Sequence, residues 1–401
     1  MKRICGIIFL LLSYASSYGQ IDSLPANDRI AFRGAWIATV ANIDWPTPEA
    51  VGNTGKQQEE MLFLLDSLHS IGINAIIFQV RPTADALYLS ELEPISNWLT
   101  GSQGVWGEQE EWDPLEFVVE EAHRRDMAVH VWLNPYRVNL AQSPATAMWQ
   151  NHIFKSNPEW FWQYNGQWYF NPGLDETRDW ICMVVEDIVS RYDIQGIHMD
   201  DYFYPYPAGK QQIPDAQTFK DNPRGFDNIA DWRRNNVNRV IQDIHQAIRS
   251  IKPEVEFGIS PFGVWRNQSR DSINGSATRA GITNYDDLYA DVLLWMQEGW
   301  IDYVVPQLYW EIGKPTADYE ILAHWWAKHS AGCKLYIGMA PYRLEGGKKE
   351  AAAWRTGNEI SRQMRLNRTI PEITGECFYS TRPLLRNPRH VCDSIRTFYI
   401  Q

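Results

Sequence analysis

Two adjacent carboxylates, Asp200 and Asp201, stand where a run of apolar residues stops. Gly196-Ile197-His198-Met199 leads into them, and Tyr202-Phe203-Tyr204-Pro205 follows. An apolar strand that ends on carboxylates and aromatic rings reads as a scaffold edge meeting a chemical surface. Paired carboxylates suit acid–base work on a glycosidic bond, and flat rings with polar edges suit the apolar faces of sugars. Glu311, behind Gln307-Leu308-Tyr309-Trp310, is the candidate proton donor. Its pKa is expected to rise among Trp and Tyr rings and beside the Asp200 charge.

Side chains alternate along a strand, so His198 and Asp200 are expected on one face, Met199 and Asp201 on the other. Met199 suits a helix-covered face. That directs Asp200 into the site and leaves Asp201, the third member of the catalytic group, to support it and anchor the rim. Other segment ends carry polar and aromatic groups that an apolar core would not choose: Gln79, Arg81, Asn134, Tyr136, Arg137, His198, Tyr202, Gln307, Tyr309 and Trp310. These form the candidate substrate-binding set. Asp85, Asp113 and Asp175 read more naturally as turn or helix-capping residues. No His-x-Glu or His-x-x-x-His pair, Gly-x-Ser-x-Gly elbow or Gly-rich phosphate loop occurs, so neither a metal nor a cofactor is expected.

The elements that must position these residues repeat along the chain. Strand patterns at residues 31–40, 73–80, 128–133, 196–199, 256–260, 303–308, 334–339 and 376–379 alternate with amphipathic helical patterns, the longest at about 229–251. Eight such units without a compositional break predict a single (β/α)₈ barrel; an open doubly wound sheet is the alternative. Helix-to-strand connections are terse, whereas strand-to-helix connections are long, as after Pro82, Pro135, Pro205 and Pro261. Such a barrel carries its site at the C-terminal ends of its strands. Residues 158–173 resemble a hairpin with an Asn-Gly turn, either a wall of a sugar subsite or a hydrophobic lid.

The composition bounds the partners. The 401 residues are 44% hydrophobic and 21% charged, enough for a large core. A net charge of −12 argues against nucleic acid or an anionic membrane as the main partner, and nineteen Trp with nineteen Tyr favour a polysaccharide. Lys2 and Arg3, the apolar run Ile4–Leu12 and a small-residue segment ending at Gly19 fit a secretory signal over residues 1–19. The mature chain, 20–401, is then expected in the periplasm or outside the cell, with no transmembrane segment. Cys182, Cys333, Cys377 and Cys392 are scattered, so a disulfide is permitted but not indicated.

Phe32-Arg33-Gly34-Ala35-Trp36, Phe78-Gln79-Val80-Arg81-Pro82, Trp132-Leu133-Asn134-Pro135-Tyr136-Arg137, His198 to Pro205, Ile259-Ser260-Pro261-Phe262-Gly263 and Pro306 to Trp310 resemble, in order, the motifs of the bacterial glycosyl hydrolase-like family 10. The resemblance implies an exported glycosidase with a barrel fold. It also implies a substrate class, since the family includes enzymes acting on peptidoglycan strands stripped of peptide. The pattern is similar, more widely, to retaining α-glycosidase barrels, which implies Asp200 as nucleophile or charge stabiliser and Glu311 as acid. A hydrolase of dietary or host polysaccharide, and a glycan-binding barrel with little turnover, remain alternatives.

Overall fold

The computed structural model describes residues 30–140, 148–330 and 332–400. The leader expected at 1–19 lies outside them. Apolar, β-branched runs form the parallel strands β1 (Phe32–Ile37), β2 (Ala75–Arg81) and β3 (Ala128–Leu133). A hairpin, β4 (Phe161–Tyr164) and β5 (Gln167–Phe170), interrupts the series. The series resumes with β6 (Gly196–Met199), β7 (Glu256–Ile259), β8 (Tyr303–Val304), β9 (Lys334–Met339) and β10 (Ile373–Phe378). The eight long-range strands close in the order β1-β10-β9-β8-β7-β6-β3-β2, a (β/α)₈ barrel with β6 as its fourth strand. The expected fold is therefore the observed one.

Strand periodicity separates two cores. One set of side chains, including Phe78, Val80, Ile197, Met199, Phe257 and Ile259, packs outward against helical residues such as Leu65, Ile188, Val240 and Ile244. The other set, including Trp36, Ile77, Trp132, Tyr303 and Tyr336, fills the barrel. Each large apolar side chain so buried contributes about 1.5–3 kcal/mol. Glycines make room for the bulky interior: a Cβ on Gly258 would lie 2.0 Å from the Tyr303 ring, and one on Gly196 2.3 Å from His130 Nδ1.

A polar string runs through this interior. Tyr303 Oη lies 2.8 Å from His130 Nδ1 and 3.0 Å from His198 Nδ1, and His198 Nε2 lies 3.0 Å from Ser260 Oγ. Trp36 donates its indole N–H to His198 Nε2. An acceptor at Nε2 assigns the proton of His198 to Nδ1, which donates to Tyr303; Tyr303 in turn donates to His130. Burial holds both imidazoles neutral.

Three elements differ from the sequence pattern. β8 is cut to two residues because Pro306 has no N–H for the ladder, although Gln307 bridges to Phe262 and Gly338 beyond it. The helix expected near 285–298 is two short ones, Asn284–Asp287 and Val292–Gln297, broken where Tyr289 takes a positive φ. The hairpin turns on Asn165 and Gly166, both at positive φ as a two-residue turn requires. Its rings are spent on packing: Phe161 meets Phe154 and Phe170, while Trp162, Tyr164 and Tyr169 cluster against Ala208 and Ile213. The four described cysteines are free, and no helix among the described residues is long and apolar enough to cross a membrane.

Candidate active site

Four strand ends in a row carry one hydrogen-bonded series. Gln79, near the C-terminal end of β2, accepts at Oε1 from the backbone N–H groups of Thr39 and Val40, each at 2.9 Å. This fixes its amide orientation, and Nε2 donates to Asn134 Oδ1 at 2.6 Å. Arg137 Nη2 donates to the same oxygen at 3.0 Å. With Oδ1 occupied twice, Asn134 Nδ2 is left to donate to Asp200 Oδ2 beyond β6. Tyr202 N–H caps the other oxygen, Oδ1, at 3.1 Å.

Asp201 lies in the same mouth. Tyr206 donates its hydroxyl to Asp201 Oδ2, with the Gln307 side chain beside it, itself tied through Nε2 to Ser260 O at 3.0 Å. Both carboxyls are buried, at 3% and 2% exposure, and desolvation raises both pKa values. The Arg137 charge and the N–H donors pull Asp200 back down, whereas the Asp200 charge pushes Asp201 further up. Two carboxyls so placed titrate as a pair, and the Asp200 charge favours the proton on Asp201.

The parity expectation fails at this point. β6 ends at Met199, so alternation holds for inward His198 and outward Met199 but not for the two aspartates. Asp201 turns to the mouth rather than away from it. Glu311 is the second correction. It is buried, accepting from the Trp354 indole at 3.0 Å, with Lys314 Nζ at 3.4 Å and Arg343 Nη1 at 3.8 Å. Although burial raises its pKa, these donors and cations outweigh burial and leave it below its ordinary value, opposite to the rise expected of an acid.

Several of the substrate-binding candidates also serve the scaffold. Arg81 is fully buried, paired with Glu93 at 2.5 Å and bonded to the carbonyls of Asn134 and Pro135. Tyr136 points into the helix-covered core, and His198 belongs to the interior string. Gln79 and Asn134 act through Asp200. Arg137 stays at the rim, its guanidinium 5.5 Å over the Tyr202 ring, and Tyr202 is 38% exposed. Gln307, Tyr309 and Trp310 are half-buried around the opening.

Residues not in that set complete the wall. Phe262 packs edge-on between Tyr206 and Trp310, and Tyr309 stacks near Tyr379, with Tyr342 at right angles to both. Tyr206 was legible as part of the aromatic run after Asp201; Phe262 stood inside a quoted motif without a polar atom to mark it. Among the described residues no group of three His, Cys, Asp or Glu is arranged to hold a metal ion. The mouth thus offers a coupled pair of buried carboxyls with raised pKa values, one arginine and a ring-lined wall, a set able to protonate a leaving oxygen and stabilise positive charge.

Comparison with known proteins gives the family. A family model described as glycosyl hydrolase-like 10 matches residues 31–356. The chain is 43% identical over 368 residues to glycosyl hydrolase YngK of Bacillus subtilis (strain 168), covering 91% of this chain and 71% of that protein. It is 39% identical over 366 residues to glycosyl hydrolase DigH of Escherichia coli (strain K12), covering 86% and 82%. Among solved structures, the glycoside hydrolase domain of PgaB (BpsB) from Bordetella bronchiseptica superposes with a TM-score of 0.58 at 11% identity, covering 92% of this chain and 98% of that one. Alpha-L-fucosidase isoenzyme 2 from Paenibacillus thiaminolyticus gives 0.56 at 14% identity, with this chain spanning 48% of its length. At those identities the structural likeness is one of fold. The family match and the aligned relatives rest on the sequence itself, and by them the chain belongs to the glycosyl hydrolase-like 10 family and is a glycoside hydrolase.

Proposed function

We propose that this protein is an exported enzyme that hydrolyses the glycan strands of bacterial peptidoglycan after their peptides have been removed. The observation that carries the reading is the buried Asp200–Asp201 pair set in an aromatic mouth. Asp201 gives its proton to the leaving oxygen, and Asp200, held charged by Asn134 and Tyr202, stabilises the positive charge that develops at the anomeric carbon. Arg137 supports the muramic acid part of the reading, as the cation at the rim beside Asp200 to which a lactyl carboxylate could bond. The signal-like residues 1–19 support export to the periplasm or beyond.

The test is release of reducing ends from peptide-free strands by wild type, Asp200→Asn and Asp201→Asn proteins of equal folded content. Loss of about 10²–10⁴-fold in each variant is expected. Full activity in both would refute the assignment. Faster turnover of plant or host polysaccharide would replace the substrate, and tight binding without product would make the barrel a glycan-binding module. Fractionation of cells producing the full chain tests export.

A further inference from the structure

Resting on the glycosidase reading, we propose that the nucleophile is supplied by the substrate: the carbonyl oxygen of a 2-acetamido group on the sugar being cleaved. Asp200 holds that group's N–H and Asp201 is the acid.

The argument begins with what is missing. Glycosidases that use two carboxylates place them on opposite sides of the scissile bond, about 5–5.5 Å apart for retention and 6.5–9.5 Å for inversion. Asp200 and Asp201 are consecutive and leave one strand end together, so they serve the same side of the mouth. The other buried carboxyls on this rim are committed to the scaffold. Asp44 accepts from Ala38 N–H, Ser380 Oγ and Arg382 N–H. Asp85 accepts from Thr83 and Gln103, Glu93 pairs with Arg81, and Glu311 is held by Trp354, Lys314 and Arg343. Each is thus already engaged by donors or cations of the scaffold.

The environments of the two aspartates then divide the labour. Asp200 is met by N–H donors and by the Arg137 charge, so it remains an acceptor for one more N–H. An amide bound there has its carbonyl oxygen made more nucleophilic and is fixed below C1. Asp201, in the field of Asp200, keeps its proton.

The step balances without another reagent. The acetamido oxygen forms a bond to C1 as the C1–O glycosidic bond breaks, and the leaving oxygen takes the proton of Asp201. The amide N–H transfers to or hydrogen-bonds Asp200, giving a fused oxazoline or oxazolinium ring. Water then attacks C1 and gives a proton to Asp201 as the ring's C1–O bond breaks, the amide nitrogen regains its proton from Asp200, and the product keeps its anomeric configuration.

Two measurements on the native full-length protein test this. Peptide-free strands are compared with the same strands de-N-acetylated and then N-trifluoroacetylated, an uncharged change that weakens the carbonyl oxygen. A rate loss of more than about 10²-fold is expected; rates within threefold would overturn the inference. Calorimetry with the thiazoline derived from N-acetylglucosamine should show at least about 100-fold tighter binding than the parent sugar, as for a ring that mimics the bound intermediate. Equal affinity, or a glycosyl adduct on Asp200 detected by intact mass after a 2-deoxy-2-fluoro glycoside, would also overturn it. Failure to cut any strand defeats the proposed function instead, while the thiazoline result still decides the chemistry.

Discussion

Asn134 donates to Asp200 with no freedom to do otherwise, because its carbonyl oxygen already accepts from Gln79 and Arg137. Asn134→Ala removes that donor and leaves Gln79 Nε2 buried without a partner. Turnover is expected to fall about 10–100-fold with little change in KM, since the bond stabilises charge rather than holding sugar. The acid limb of the pH–rate profile should also move up, because Asp200 then ionises less readily. Steady-state kinetics across pH checks both.

Asp201 must be protonated and Asp200 charged, so the profile is a bell whose two limbs belong to the pair. Activity falls as pH rises and Asp201 loses its proton, and falls as pH drops and Asp200 gains one. The Asp201→Asn protein should lose the alkaline limb in its residual activity. Persistence of that limb would assign the proton to another group.

The same pair costs stability. Its folded pKa values are raised, so between about pH 4, the ordinary carboxylate value, and the raised values the folded state binds protons that the unfolded chain has released. Stability contributed by the pair is therefore lost as pH rises through that window. Asp201→Asn should match wild type near pH 4 and exceed it by about 1–3 kcal/mol at pH 8. Urea unfolding at the two pH values measures the difference.

Glu311→Gln separates the corrected residue from the pair. It weakens the contacts to Lys314 and Arg343 but keeps an acceptor for the Trp354 indole. Activity within about tenfold of wild type and a stability loss of about 1 kcal/mol are expected. A loss comparable with that of Asp201→Asn would restore Glu311 as the acid.

Gly258→Ala tests the packed interior. The added Cβ would sit 2.0 Å from the Tyr303 ring, whose hydroxyl joins both histidines. Overpacking of this kind costs about 1–3 kcal/mol. Thermal unfolding should show it, and an unchanged transition would mean that the ring shifts freely.

The barrel was legible in the sequence because long apolar runs and terse returns repeat eight times, and burial enforces that pattern. The site was legible as a region but not as a division of roles. Asp201 was misplaced because parity was extended two residues past Met199, where the ladder has ended. The direction of the Glu311 pKa was misjudged because its partners Arg343 and Trp354 arrive from a later loop, and no local pattern announces them. Arg81 and His198 stand at strand ends as a ligand-binding group would, yet both are fully buried and bonded within the scaffold. Polar type alone does not distinguish a residue that meets substrate from one that supports its neighbour.

The series from the Thr39 and Val40 amides through Gln79 and Asn134 has a consequence for specificity. Every link is neutral and every donor points the same way, so the row behaves as a counter-ion assembled from dipoles. With the Arg137 charge at the rim, it holds a negative charge in place without a cation bonded directly to the carboxylate, so that a neutral donor of the sugar is the natural remaining partner of Asp200.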